Sequence, residues 1–153
     1  MRRMILTMAA FAVVGCVRTH ANEATGAVDV DIESPTKTGE DWSGSLSPRG
    51  GSGITGSFKA VVADGKTTVS VNLANAMAGQ RLPWHVHLGT CDNDMGIFGE
   101  ASWYPVIVVA NDGTASTNTV LNYTLDEAKD YIINVHASPT NMQTIVACGD
   151  LDD

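Results

Sequence analysis

The sequence predicts an all-β fold, an antiparallel sandwich or barrel, on three observations. From Trp42 onward, short segments alternate apolar and polar residues with a period of two. Turn residues, above all Asp64-Gly65 and Asn111-Asp112-Gly113, separate these segments at hairpin spacing. In the last stretch, residues 132–136 and 144–148 read as closing strands.

Ahead of that domain the chain has a different character. Residues 1–15 carry Arg2 and Arg3, an apolar run over residues 4–14 and no acidic residue, the layout of a secretory signal peptide. The run is too short to span hydrocarbon about 30 Å thick, which takes roughly 20 apolar residues as a helix. It ends Val13-Val14-Gly15-Cys16, small residues before a cysteine, and this ending resembles a bacterial lipobox. That resemblance implies cleavage before Cys16 and acylation of Cys16, which would hold the protein on a membrane. The other reading is an ordinary signal peptide with a cysteine in its apolar stretch. Residues 16–41 are mostly Ala, Thr, Glu, Asp, Gly, Ser and Pro without sustained apolar periodicity, and read as a flexible tether between lipid and domain. His20 falls in this tether, where a solvated histidine is the expected reading rather than a ligand.

Charge and cysteine usage bound the partners and the compartment. The chain carries a net charge of −8, and removal of Arg2 and Arg3 leaves seven basic against seventeen acidic residues. Such an acidic chain argues against nucleic acid as a partner. Of the three cysteines, lipidation would consume Cys16 and leave Cys91 and Cys148 as an even pair. An exported protein can oxidise that pair, and two free thiols are the alternative.

Within residues 42–153, the expected domain, each element has a local cause. Phe58, Ala60 and Val62 share one face of a strand, Asp64-Gly65 turns the chain, and Val69, Val71 and Leu73 line one face of the return strand. A second hairpin is expected from residues 106–110 and 114–121 around Asn111-Asp112-Gly113. Thr124 with Glu127 forms a candidate capping box for one short helical turn. Gly44, Gly51, Gly53 and Gly56 mark turns or bulges in the opening strands.

The informative segment is Leu82-Pro83-Trp84-His85-Val86-His87-Leu88-Gly89-Thr90-Cys91. In a strand, Trp84, Val86 and Leu88 point inward, and His85 and His87 project together from the opposite face, close enough for two imidazoles to meet one metal ion. A surface histidine pair would look the same in sequence. The third histidine, His136, ends another strand, Tyr131-Ile132-Ile133-Asn134-Val135-His136, and a sandwich can bring distant strands together. Three neutral imidazoles suit copper, zinc, nickel or iron, and chemistry alone does not choose among them.

With those motifs in order, residues 42–151 resemble a reduced copper/zinc superoxide dismutase. The shared order is paired strands, a His-x-His strand, a Gly and Cys just after it, an Asp-Gly hairpin, a Val-His strand and the ending Ala147-Cys148-Gly149. The resemblance implies a Greek-key β-sandwich or barrel of that type. It implies His85 and His87 as the first two copper ligands, His136 as the last, and Cys91 and Cys148 as the intramolecular disulfide. One copper ion is the implied cofactor.

The chain departs from that family where activity is decided. No histidine occurs between His87 and His136, the interval that in the family supplies the imidazole bridging copper and zinc and the remaining zinc ligands. A zinc site is therefore not expected. Asp92, Asp94 and Glu100 fall in the shortened loop and read as solvated acids rather than ligands. Before Cys148, where the family places an arginine that attracts superoxide, the chain reads Gln143-Thr144-Ile145-Val146-Ala147. Arg81 is the nearest cation in sequence and reads as an ordinary exposed residue. Met77, Met95 and Met142 are soft donors suited to copper(I), though methionine is common core filler. Trp84, Trp103 and Tyr104 are expected to pack in the core or against loops.

The expectation is thus a copper-binding exported lipoprotein that stores, buffers or passes on copper at the bacterial cell envelope. Its setting is the periplasm, and Val17 in place of Asp at the second mature position favours the outer membrane. A copper-only superoxide dismutase, with superoxide as substrate, is the first alternative, and a metal-free structural or interaction domain is the second. No catalytic residue is assigned, and the protein partner is open.

Overall fold

The computed structural model describes residues 41–151, together with the backbone of two short strands nearer the N-terminus. The chain divides into two units, Met1–Thr36 and Lys37–Asp153. In the first, β1 (His20–Ala21) pairs antiparallel with β2 (Val28–Asp29). The expected signal peptide and Cys16 lie outside the described residues, as do the His20 side chain and the remainder of the expected tether. No helix among the described residues is long and apolar enough to cross a membrane.

The second unit is all-β, as the alternation predicts. Its strands are β3 (Asp41–Pro48), β4 (Thr55–Ala63), β5 (Lys66–Ala74), β6 (Arg81–Leu82), β7 (Trp84–Thr90), β8 (Asn93–Ile97), β9 (Ile107–Val108), β10 (Ala115–Leu121), β11 (Tyr131–Ser138) and β12 (Asn141–Asp150). Eight of them form one curled antiparallel sheet in the order β10-β5-β4-β3-β12-β11-β7-β8. The remaining pair, β6 and β9, makes a small ladder of its own. The curl folds the apolar face of the sheet onto itself.

The first hairpin forms as read. Asp64 and Gly65 both take positive φ, 51° and 74°, the backbone that a two-residue turn between twisted strands requires, so Ala63 pairs with Lys66. Phe58 and Ala60 on β4 and Val69, Val71 and Leu73 on β5 are buried along one face. They join Trp42, Leu46, Trp84, Val86, Ile133 and Val135 in one core. Each fully buried Val or Ile there contributes about 1.5–3 kcal/mol.

Two sequence expectations are corrected. The turn at residues 111–113 exists, with the Gly113 amide donating to the Ala110 carbonyl and the Ala110 amide to the Thr114 carbonyl, but beyond that closing bond the two strands do not continue as a hairpin ladder. The short β9 pairs with β6, whereas β10 pairs along its whole length with β5. Alternation identifies a strand but not its neighbour: the edge of β5 that does not pair with β4 is completed by β10. Residues 124–127 form no helical turn; the chain makes a turn at residues 127–128 and the Leu125 amide donates to the Thr67 hydroxyl.

Strands β7 and β11 lie side by side and are buried on both faces. Trp84, Val86, Ile133 and Val135 face the core, while His85, His87, Ile132, Asn134 and His136 are buried on the other side. Ile132 and Cys148 are buried outside the main apolar cluster. That second covered face is where the histidines meet.

Candidate metal centre

The register of β7 on β11 places Asn134 opposite His85 and Ile132 opposite His87. His136 lies one step further along β11, where its amide donates to the Pro83 carbonyl at 2.8 Å. At that residue the pairing of β11 with β12 shifts: Val135 faces Ala147 but His136 faces Ile145. Such an irregularity bends a strand and re-aims a side chain. The result is that one nitrogen from each of His85, His87 and His136 lies within 4.8 Å of the other two.

Hydrogen bonds settle which nitrogens converge. His136 Nδ1 stands 2.6 Å from the Met142 carbonyl oxygen, which can only accept, so Nδ1 carries the proton and Nε2 the lone pair. His87 Nδ1 stands 2.8 Å from Asp94 Oδ1, and the carboxylate likewise takes an Nδ1 proton and leaves a lone pair on Nε2. His85 Nδ1 lies 2.9 Å from His136 Nε2 and therefore donates to it. The His87 Nε2 lone pair is buried and has no hydrogen-bond partner. A buried polar atom left so calls for an explanation, and here it points at two other imidazole nitrogens.

Electrostatics favour the neutral rings that a metal needs. Burial, with the neighbouring His136 and His87 adding to it, pushes His85 down to about 4 from the ordinary 6.5. Burial also lowers His136. For Asp94, burial opposes the charge, but the Gly96 amide and His87 outweigh it and hold the carboxyl below its usual range. The charges that act on these rings come from the other site histidines and, on His136, from Asp94.

These residues fit one transition-metal ion. Nitrogens bound at about 2.0 Å to a common ion stand roughly 3.3–3.5 Å apart, a set that small ring rotations reach from the observed spacing. The ion would replace the proton that His85 Nδ1 now shares with His136, so binding releases or relocates a proton. Three imidazoles suit several divalent metals, and the geometry does not name one.

Other expected residues fall in varied places. Cys91 and Cys148 form a disulfide with Cα atoms 6.0 Å apart, tying the turn after β7 to β12. The bridge points to an oxidising, exported setting. Of the three loop acids, Asp92 is exposed beside Arg49, and exposed Glu100 meets Ser102. Asp94 reaches the site histidine. Met142 touches the site through its carbonyl, while Met77 and Met95 are each 70% exposed and fill no core. Arg81 is exposed, as read. Trp84 is fully buried and its indole N–H donates to the Pro105 carbonyl. Tyr104 packs edge-on against both Trp84 and His85, each at 5.3 Å between ring centroids, and walls the site. Trp103 stacks on Tyr123.

Sequence reasoning missed Asn134, a residue only 2% exposed whose side-chain amide donates to Asp94 Oδ2 at 2.8 Å. A signal was present: an asparagine inside the apolar run Ile132-Ile133-Asn134-Val135 must find a partner if the strand is covered on both faces. Compared with models of known protein families and with curated protein sequences, the chain matches none.

Proposed function

We propose that this chain is an exported, lipid-anchored protein that binds one copper ion through His85, His87 and His136 and stores, buffers or passes it on at the bacterial cell envelope. On this reading the curled sheet is a Greek-key β-sandwich of the copper/zinc superoxide dismutase type, reduced to its copper half. The observation that carries the reading is the unpartnered, buried Nε2 of His87 converging with the inner nitrogens of His85 and His136. Copper is favoured over the other candidates because it tops the divalent affinity order for imidazole donors, and because the three histidines keep the order of that family's copper ligands. The Cys91–Cys148 disulfide supports export.

Holding copper is favoured over turning over superoxide by Gln143-Thr144-Ile145-Val146-Ala147, which carries no cation where the copper/zinc superoxide dismutase family places its arginine. An anionic substrate approaching a net acidic chain needs such a cation. The deciding experiment offers copper to the purified protein, removes loose metal with a mild chelator, and counts what remains beside a His85→Ala/His87→Ala variant. One copper retained per wild-type chain and none in the variant is expected; a wild-type protein that keeps none ends the reading. Copper-dependent dismutation well above that of free copper, lost in the variant, would make the protein a copper-only superoxide dismutase instead.

A further inference from the structure

The acid that sequence reads as a solvated loop residue is tied to the site by three donors. Asp94 Oδ1 accepts from His87 Nδ1 and from the Gly96 amide, each at 2.8 Å, and Oδ2 accepts from Asn134 Nδ2, also at 2.8 Å. Two of these donors do not belong to a metal ligand, so the carboxylate is held in place independently of His87. Asn134 is itself locked: it is buried on β11, opposite His85 on one side and Cys148 on the other.

The backbone explains how Asp94 gets there. Gly89 takes φ of +96°, and the pairing of β7 with β8 shifts between His87 and Gly89. A Cβ at Gly89 would collide with the Asn93 carbonyl, so only glycine lets the β8 arm fold back this tightly. The tight return sets Asp94 opposite Gly89 and within reach of the ring two residues earlier on β7.

Resting on the reading of the three histidines as a metal centre, we propose that Asp94 is its positioning residue, fixing His87 with Nε2 toward the metal and making that imidazole a stronger donor to copper(II). Simple ion pairing would not give this result. The Asp94 side chain is 37% exposed, and a half-exposed pair is worth little as an attraction. Geometry is what the clamp supplies: with Oδ1 and Oδ2 both anchored, the ring can rotate little, and its Nδ1 proton stays on the carboxylate side. A carboxylate drawing on the Nδ1 proton leaves more electron density at Nε2, which favours the higher charge of copper(II) over copper(I).

The test uses the purified protein and copper alone, with Asp94→Ala and Asp94→Asn variants. Affinity for each oxidation state is measured by chelator competition, the site by electron paramagnetic resonance, and the copper couple by redox titration. Asp94→Ala should lose about 10- to 100-fold in copper(II) affinity and less in copper(I) affinity, raising the reduction potential. Asp94→Asn keeps an acceptor oxygen for His87 but not the charge, so it should recover part of the affinity while the potential stays raised. Urea unfolding of the variants checks that the fold is kept.

Unchanged copper(II) affinity in Asp94→Ala overturns the inference. So does an equal loss for both oxidation states with Asp94→Asn no better than Asp94→Ala, which is the signature of a merely structural contact. Both failures leave wild-type copper binding intact, whereas a wild-type protein that binds no copper removes the metal reading and this inference together.

Discussion

His85 Nδ1 and His136 Nε2 lie 2.9 Å apart although 51 residues separate them in the chain. Their contact depends on β7 and β11 being neighbours and on the irregularity that re-aims His136. A metal ion bound there therefore ties two distant strands together and should stabilise the whole sheet.

Copper at about 100 times its dissociation constant adds about 2.7 kcal/mol to the folded state. For a domain of this size the melting midpoint should rise by roughly 10 °C or more. In His136→Ala most of that rise should vanish. Differential scanning calorimetry with and without copper reads the effect, and an equal rise in the variant would contradict the ligand assignment.

Acidification should destabilise the chelator-treated protein. His85 titrates near 4 when folded and near 6.5 when unfolded. Between those values the unfolded chain binds a proton that the folded one does not, so protons favour unfolding. Stability is fully present above about pH 6.5 and declines as pH falls toward 4; His136 is shifted in the same direction by burial and adds to the loss. The groups facing these rings are His87, Asp94 and Tyr104. Urea midpoints between pH 7 and 4.5 should drop, and less so in His85→Leu. A flat profile would count against the burial argument.

Removing the disulfide should cost stability at neutral pH without metal. Cys91 and Cys148 are 57 residues apart, and closing a loop of that length is worth about 4 kcal/mol on the chain-entropy account. A Cys91→Ser/Cys148→Ser protein should unfold at a clearly lower urea concentration. The same variant releases the turn before β8, so its copper affinity should fall as well. An unchanged midpoint would mean that the bridge adds nothing in solution.

Gly89→Ala should be costly for a residue so small. The backbone there has positive φ and the added methyl would meet the Asn93 carbonyl, so a loss on the order of 1–3 kcal/mol is expected. Gly65→Ala, also at positive φ but with open space around its Cβ, should lose less. Chemical denaturation of the two variants side by side measures the difference, and equal losses would locate the strain in φ alone.

Local pattern was enough to read the strands, because a half-buried strand must alternate and a tight hairpin must have residues that accept positive φ. On those grounds the β4–β5 hairpin and the two histidines on one face of β7 were legible from the amino-acid order, the closing strands were legible as short apolar runs, and the disulfide partners followed from an even count once Cys16 was set aside. The pairing of β10 with β5 was not, since alternation says which way side chains point and nothing about which neighbour they meet. Asp94 looked like its exposed neighbours Asp92 and Glu100 for the same reason: what distinguishes it is a collision-free return at Gly89 and a buried amide arriving from a strand forty residues later. The sequence by itself determined the all-β architecture and supplied three imidazoles. Only the tertiary structure decided that they face one point, with the outer nitrogens of His87 and His136 occupied and one inner lone pair left buried, because that convergence depends on register and strand curvature between segments far apart in the chain.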